Sequence, residues 1–298
     1  MTIYDTITAS IVAGIEHGAG EFRMPWHRAS TDGGIPHNAL TGTDYRGSNV
    51  LMLWAAAMGK GYESTRWATY KQWAAMGAQV RKSEKATTGI YYSVTAREDA
   101  ETGETKTARL GRAFFLFNAA QVDGYSTPDA APRVDLTDRV RRADDAIAAT
   151  GAKITHSGSR AFYRPSTDCI HLPPRDAFIG TETSTATEAY YSTALHELAH
   201  WTGHTSRLSR DFTRSKRFGD EAYAGEELVA ELGAAFLCAQ LGITNSPRAD
   251  HAQYLAHWLK VLKTDSRAIV RAASDAQKAA DYICNAQKAD AAPLAVAA

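Results

Sequence analysis

The chain has 298 residues, 44% hydrophobic and 22% charged, a globular composition long enough for two domains, so disorder throughout is excluded. Its 33 Lys and Arg balance 33 Asp and Glu, and any affinity for nucleic acid must come from a local patch. Three widely spaced Cys build neither a disulfide framework nor a CxxC metal site and read as core thiols; no apolar run approaches the roughly 20 residues of a membrane helix, and the N-terminus lacks the basic start of a signal peptide. A cytoplasmic bacterial protein with no membrane partner is expected.

Ile3, Ile7, Ile11 and Ile15 recur every fourth residue and predict an opening helix at about 3–18, followed by another at about 48–58. Between residues 45 and 85 an excess of five positive charges sits among Tyr45, Trp54, Tyr62, Trp67, Tyr70 and Trp73. GIYYSVTA and ARLGRAFFLFNAAQV flank a polar turn and predict a long hairpin. The first 125 residues thus read as one α+β unit. Pro128 and Pro132 mark a linker at 126–133, and a second domain follows over 134–288. It opens with a helix capped by Asp135 or Thr137 and stopped at Gly151. KITH, RAFYR and CIHL then suggest a small antiparallel meander, and helices are expected at about 186–203, 223–241, 250–263 and 266–285. The tail, 289–298, reads as disordered.

The strongest motif is HELAH at 196–200. Four residues are close to one helical turn, so His196 and His200 share a face and can bind one ion through neutral imidazoles, while Glu197 is placed to take a proton from a water activated there. With 10 His in the chain, chance supplies an HExxH match only about 0.016 times. Two His leave a tetrahedral site short of ligands. His204 lies about 12 Å from His196 along a straight helix, too far to share an ion, and Ser206 stands where a metzincin carries its third His. GEELVAELGAAFL, 225–237, is the next acidic helix. Carboxylates among Leu228, Val229, Leu232 and Phe236 are costly to bury unless a cation or hydrogen bonds satisfy them, and a metal would do so. Glu227 is assigned as third ligand and Glu231 as the carboxylate that orients a ligand His; the reverse assignment, or Glu226, stays open. The ion expected is Zn²⁺, or another divalent metal such as Mn²⁺.

These residues resemble zincin metallopeptidases of the HExxH-plus-Glu class. That resemblance implies that CIHL is an edge strand pairing with substrate backbone, and it makes Tyr223 a candidate to polarise a scissile carbonyl. In the first half, PWH, TGTDYRGSN, WATYKQW, GAQVRKSEK and FFLFNAAQV resemble, in order, the N-terminal domain of ArdC-type antirestriction proteins, and YYSTALHELAHWTGH with EELVAE resembles that family's zincin-like domain. Ser83 departs from the Gly expected in an RKGEK-like segment. The resemblance, shared with a region of plasmid TraC primases, implies a plasmid-borne protein that binds single-stranded DNA and shields incoming DNA from host restriction during conjugation. Its DNA face would include Arg46, Trp67, Lys71, Arg81, Lys82 and Lys85. The alternative is a zinc peptidase acting on a DNA-associated protein such as a host restriction subunit, with DNA binding serving for delivery. A metal-dependent nuclease is disfavoured, since no two-metal carboxylate cluster is visible.

Overall fold

A computed structural model describes residues 4–5, 8–9, 11–13, 16, 34–98, 105–126, 135–180, 184–210, 221–244, 258–259, 262–263 and 265–290. The linker expected at 126–133 lies almost wholly outside these residues, as does the tail from 291 onward. What is described of residues 4–16 is helical.

In the N-terminal half, β1 (His37–Asn38) leads into helix α1 (Ser48–Lys60), β2 (Arg66–Ala68), helix α2 (Tyr70–Ala75) and β3 (Gln79–Val80), then the hairpin of β4 (Thr87–Glu98) and β5 (Thr105–Asn118), and β6 (Val122–Asp123). Helix α1 outruns its expected end and stops at Gly61, whose φ of 66° suits the left-handed C-cap that glycine adopts without strain. The strands form a four-stranded sheet, β1-β2-β5-β4, and a separate pair, β3-β6. Ser83, in the turn before β4, has φ 69°, the left-handed region in which a glycine would relieve strain.

The C-terminal half carries α3 (Leu136–Ala149), β7 (Lys153–His156), β8 (Phe162–Arg164), β9 (Cys169–Leu172), α4 (Ala186–Thr202), α5 (Glu221–Leu241) and α6 (Ala268–Asp290). Asp135 caps α3 through Thr137 N–H. The three strands do not form an antiparallel meander: their order is β7-β9-β8, with β7 parallel and β8 antiparallel to β9. CIHL is therefore the central strand, and the edge position expected for it is corrected. Cys169, Ile170 and Leu172 are all buried, the near-continuous apolar run of a strand covered on both faces; the edges belong to β7 and β8.

The two halves share a core. Val50, Leu51, Met52 and Trp54 of α1 join the buried cluster of α4, α5 and α6, with the Trp54 ring 5.9 Å from that of Phe236. The opposite side of α1, Leu53 and Ala57, packs on Trp67 and Leu116 of the sheet. A helix used on both sides needs no polar stripe, and α1 has none of the usual amphipathic contrast.

Trp67 is 1% exposed, with its ring edge-on to Tyr62. It cannot serve as a stacking platform for DNA bases, and its place in the expected DNA face is corrected: paired opposite Asn118 on β5, it points into the core under α1. Trp67→Ala should therefore cost about 3–5 kcal/mol of stability through the cavity it leaves, measured by chemical denaturation. A variant of unchanged stability would contradict this packing.

Candidate metal centre

Helix α4 begins with a capping box in which the Thr185 side chain accepts from Glu188 N–H and the Glu188 carboxylate accepts from Thr185 N–H. Glu188 also accepts from Thr244 Oγ1, at 2.8 Å, and from Arg139, at 3.2 Å. One buried carboxylate thus ties the start of the HExxH helix to α3 and to the end of α5. Burial alone would raise its pKa, but the hydrogen bonds from Thr185 and Thr244 outweigh it and keep the group ionised.

The last two turns of α4 lie against α5, and a Cβ added at Gly233 would stand 3.1 Å from the Cβ of Ala199. That close approach brings the carboxylates of α5 to the imidazoles of α4. Glu227 sits between the two histidines: its Oε2 is 3.5 Å from His196 Nε2 and its Oε1 is 3.5 Å from His200 Nε2. Behind them, Glu231 lies 3.6 Å from His196 Nδ1, and Glu226 accepts from His200 Nδ1 at 3.1 Å. The ring nitrogens therefore divide into an Nε2 pair facing one carboxylate and an Nδ1 pair each backed by another. One donor atom from each of His196, His200 and Glu227 falls within 4.8 Å of the others. Among the described residues, the buried His196 Nδ1 has no partner within hydrogen-bond reach, and Glu227 is buried beside it. This donor set, two imidazoles and a carboxylate, fits a divalent cation.

Electrostatics in the cluster are strongly coupled. Burial disfavours a charged His200, but Glu227 and Glu226 outweigh it and push its pKa up to about 10. Burial likewise opposes ionisation of Glu227, and the two imidazoles overcome it, holding the carboxyl well below the usual range. Glu226, raised by burial, is lowered on balance by His200 and by Arg210, whose guanidinium grips both of its oxygens at 2.9 and 3.1 Å. Arg210 also donates to the carbonyl of Ala199 and to Thr202 Oγ1, so it closes the C-terminal end of α4 while fixing the carboxylate behind His200. Sequence reasoning left Glu226 as an alternative ligand and passed over Arg210. The EE pair at 226–227 was the available signal, because adjacent helical residues point about 100° apart and must approach the histidines from different sides.

Glu197 is buried at 3% exposure on the same helix. His204 hydrogen-bonds Ser206 Oγ outside the cluster. Tyr223 falls in the first turn of α5, where side chains lie outside the described residues. Of the basic residues, Lys71, Lys82 and Lys85 are exposed. Arg81 is tied to Glu84 and Asp123, and Arg46 is paired with Asp281 of α6. Exposed aromatic surface lies elsewhere, at Tyr70, Tyr91, Tyr92 and Phe115; two adjacent exposed tyrosines in a strand break the alternation that a one-sided sheet predicts.

Residues 1–122 match the N-terminal domain of the anti-restriction factor ArdC, and residues 141–275 match the zincin-like metallopeptidase domain. The crystal structure of the metal-free antirestriction protein ArdC from plasmid R388 is 40% identical, with a TM-score of 0.77, over 97% of this chain and 99% of that one. The chain belongs to the ArdC antirestriction family. The Mn(II)-bound structure of the same R388 protein matches at 38% identity and a TM-score of 0.75, over 96% and 98% of the two chains. An uncharacterised protein of Sinorhizobium fredii, y4eC, is 43% identical over 97% of this chain and 93% of its own length. The DNA primase TraC of Escherichia coli is 39% identical over 94% of this chain, which spans 20% of the primase. No helix among the described residues is long and apolar enough to cross a membrane.

Because Glu227 and Glu226 favour the protonated form of His200, a cation that takes both Nε2 atoms competes with that proton. Binding of Mn²⁺ or Zn²⁺ at pH 7 should release about one proton, seen as a buffer-dependent calorimetric heat, and affinity should rise with pH below about 10. Glu226→Gln should weaken metal binding about 10–100-fold by loosening His200. Binding without proton release would contradict the assignment of His200.

Proposed function

We propose that this protein protects incoming DNA from restriction by coating single strands, and that its C-terminal domain holds Zn²⁺ or Mn²⁺ through His196, His200 and Glu227. The observation that carries the reading is the likeness to R388 ArdC over both domains at once, 97% of this chain and 99% of that one. Conjugation, in which DNA enters as a single strand, is the setting that suits such coating. The exposed Lys71, Lys82 and Lys85 supply cations for phosphates and exposed aromatics supply faces for bases, a combination that suits unpaired nucleic acid.

A second reading, a zinc peptidase that DNA binding delivers to a restriction subunit or another DNA-associated protein, is favoured by one feature. Glu197, beside the ligand set, is a base that a purely structural site would not need. When bound, the ion would polarise a scissile carbonyl and acidify a water; Glu197 would accept the proton, Glu231 and Glu226 would hold the two imidazoles, and Tyr223 is the candidate for steadying the carbonyl. A peptide pairing with the sheet would use the edge of β7 or β8.

Transfer of a plasmid into restricting and non-restricting recipients separates the two. Under coating, Glu197→Gln should protect fully, whereas Lys71→Ala/Lys82→Ala/Lys85→Ala should lose both protection and single-strand affinity. Loss of protection in Glu197→Gln, with DNA and metal binding intact, would instead establish the peptidase reading.

A further inference from the structure

Two cavities meet at the seam between the halves of the molecule. One, of about 610 Å³, lies between the start of α1, the outer edge of β4 and helix α6, where Tyr91, Tyr92, Arg271 and Lys278 line it. The other, of about 640 Å³, continues past Arg142, Gln240 and Cys284. Arg46 and Asp281 line both, so the two cavities adjoin at this exposed ion pair and form a trench that it divides. Along α6 the trench runs from Val270 to Asn285, about 22 Å at 1.5 Å per residue.

The helical wall follows from spacing. Arg271, Ser274, Lys278, Asp281 and Asn285 succeed one another at steps of three and four and share one face, while Ala273, Ala276, Ala280 and Ile283 are fully buried on the other. Opposite stands β4, the edge of its sheet. There the Asn49 side chain donates to the Ile90 carbonyl and accepts from its N–H, both at 2.8 Å. The backbone edge is thus occupied at the trench, which disfavours an added peptide strand and leaves recognition to side chains. Tyr91 is 47% exposed and Tyr92 is 45% exposed, one ring against Phe114 and the other beside Tyr4. Arg46, Arg142, Arg271 and Lys278 outnumber Asp44 and Asp281 in the lining. Arg271 pairs with Asp265 and Lys278 with Asp275, but exposed pairs of this kind contribute only about 0–1 kcal/mol, so little opposes their opening to a phosphate.

We propose that this trench binds a single-stranded nucleic acid, its phosphates against Arg46, Arg271 and Lys278 and a base on Tyr92, the ring that stands beside Tyr4 and Arg267. Spaced cations beside exposed rings suit an unpaired strand, whereas a duplex hides the faces of its bases. The inference rests on the single-strand reading above and adds a claim that reading does not contain: α6 of the zincin-like domain forms half of the binding surface.

Cys284 provides an internal reporter, since it stands half-buried in the trench wall while Cys169 and Cys238 are buried in the core. In the full-length protein, saturation with a fluorescein-labelled oligodeoxythymidine should slow alkylation of Cys284 by iodoacetamide several-fold. Arg271→Ala/Lys278→Ala should weaken oligonucleotide binding and make its log–log salt dependence shallower by about 1.4, two phosphates at about 0.7 each. Binding with Cys284 alkylated at the free rate, or with the slope unmoved, would overturn the trench and leave the single-strand reading standing. No binding by the wild type would overturn both.

Discussion

A carboxylate buried between two imidazoles is the constraint on which the C-terminal domain turns. Glu227 at 8% exposure, His196 at 3% and Glu231 at 2% could not be withdrawn from water individually, because an isolated buried charge costs several kcal/mol. They are tolerated because α4 and α5 come close enough at Ala199 and Gly233 to set the carboxylates of Glu227 and Glu231 against the imidazoles. The same Gly233 faces Ala276 and Ala279 of α6, so three helices converge on one residue without a side chain. Small residues there set the helix spacing, and the spacing sets the reach of the carboxylates.

From that cluster the polar connections run outward in two directions. Toward the loop after α4, Glu226 passes to Arg210 and thence to the carbonyl of Ala199, joining the site to the end of its own helix. Toward the start of α4, Glu188 gathers Thr185, Thr244 and Arg139, binding α3 and the end of α5 to the first turn. The HExxH helix is therefore pinned at both ends by carboxylates, the buried Glu188 and the half-buried Glu226, and its histidines inherit a fixed rotation. Such support is what a metal centre needs in order to keep ligand geometry without a closed shell of protein donors.

The shared core explains why two recognisable domains behave as neighbours rather than beads. Helix α1 puts Trp54 against Phe236 of α5 and Trp67 beneath its other side, while Arg46 and Gly47 at its start meet Asp281 and Gln277 of α6. A surface built across that seam belongs to both domains. The two domains are therefore joined physically, through α1 and α6.

Much of this was legible in the sequence because it is local. A four-residue His spacing on a helix dictates a shared face, and carboxylates in an apolar helix call for a cation or hydrogen bonds, whichever fold surrounds them. Ligand phase was not legible: Glu226, Glu227 and Glu231 divide their roles only when α5 takes its rotation against α4, a packing outcome. Nor was strand order, since CIHL becomes the centre of its sheet through a parallel pairing with KITH that no hairpin rule supplies. Trp67 and the paired tyrosines at 91–92 show the same limit most plainly. Composition counts aromatic rings, but whether a ring fills a core or faces solvent depends on which residues from distant parts of the chain come to lie over it.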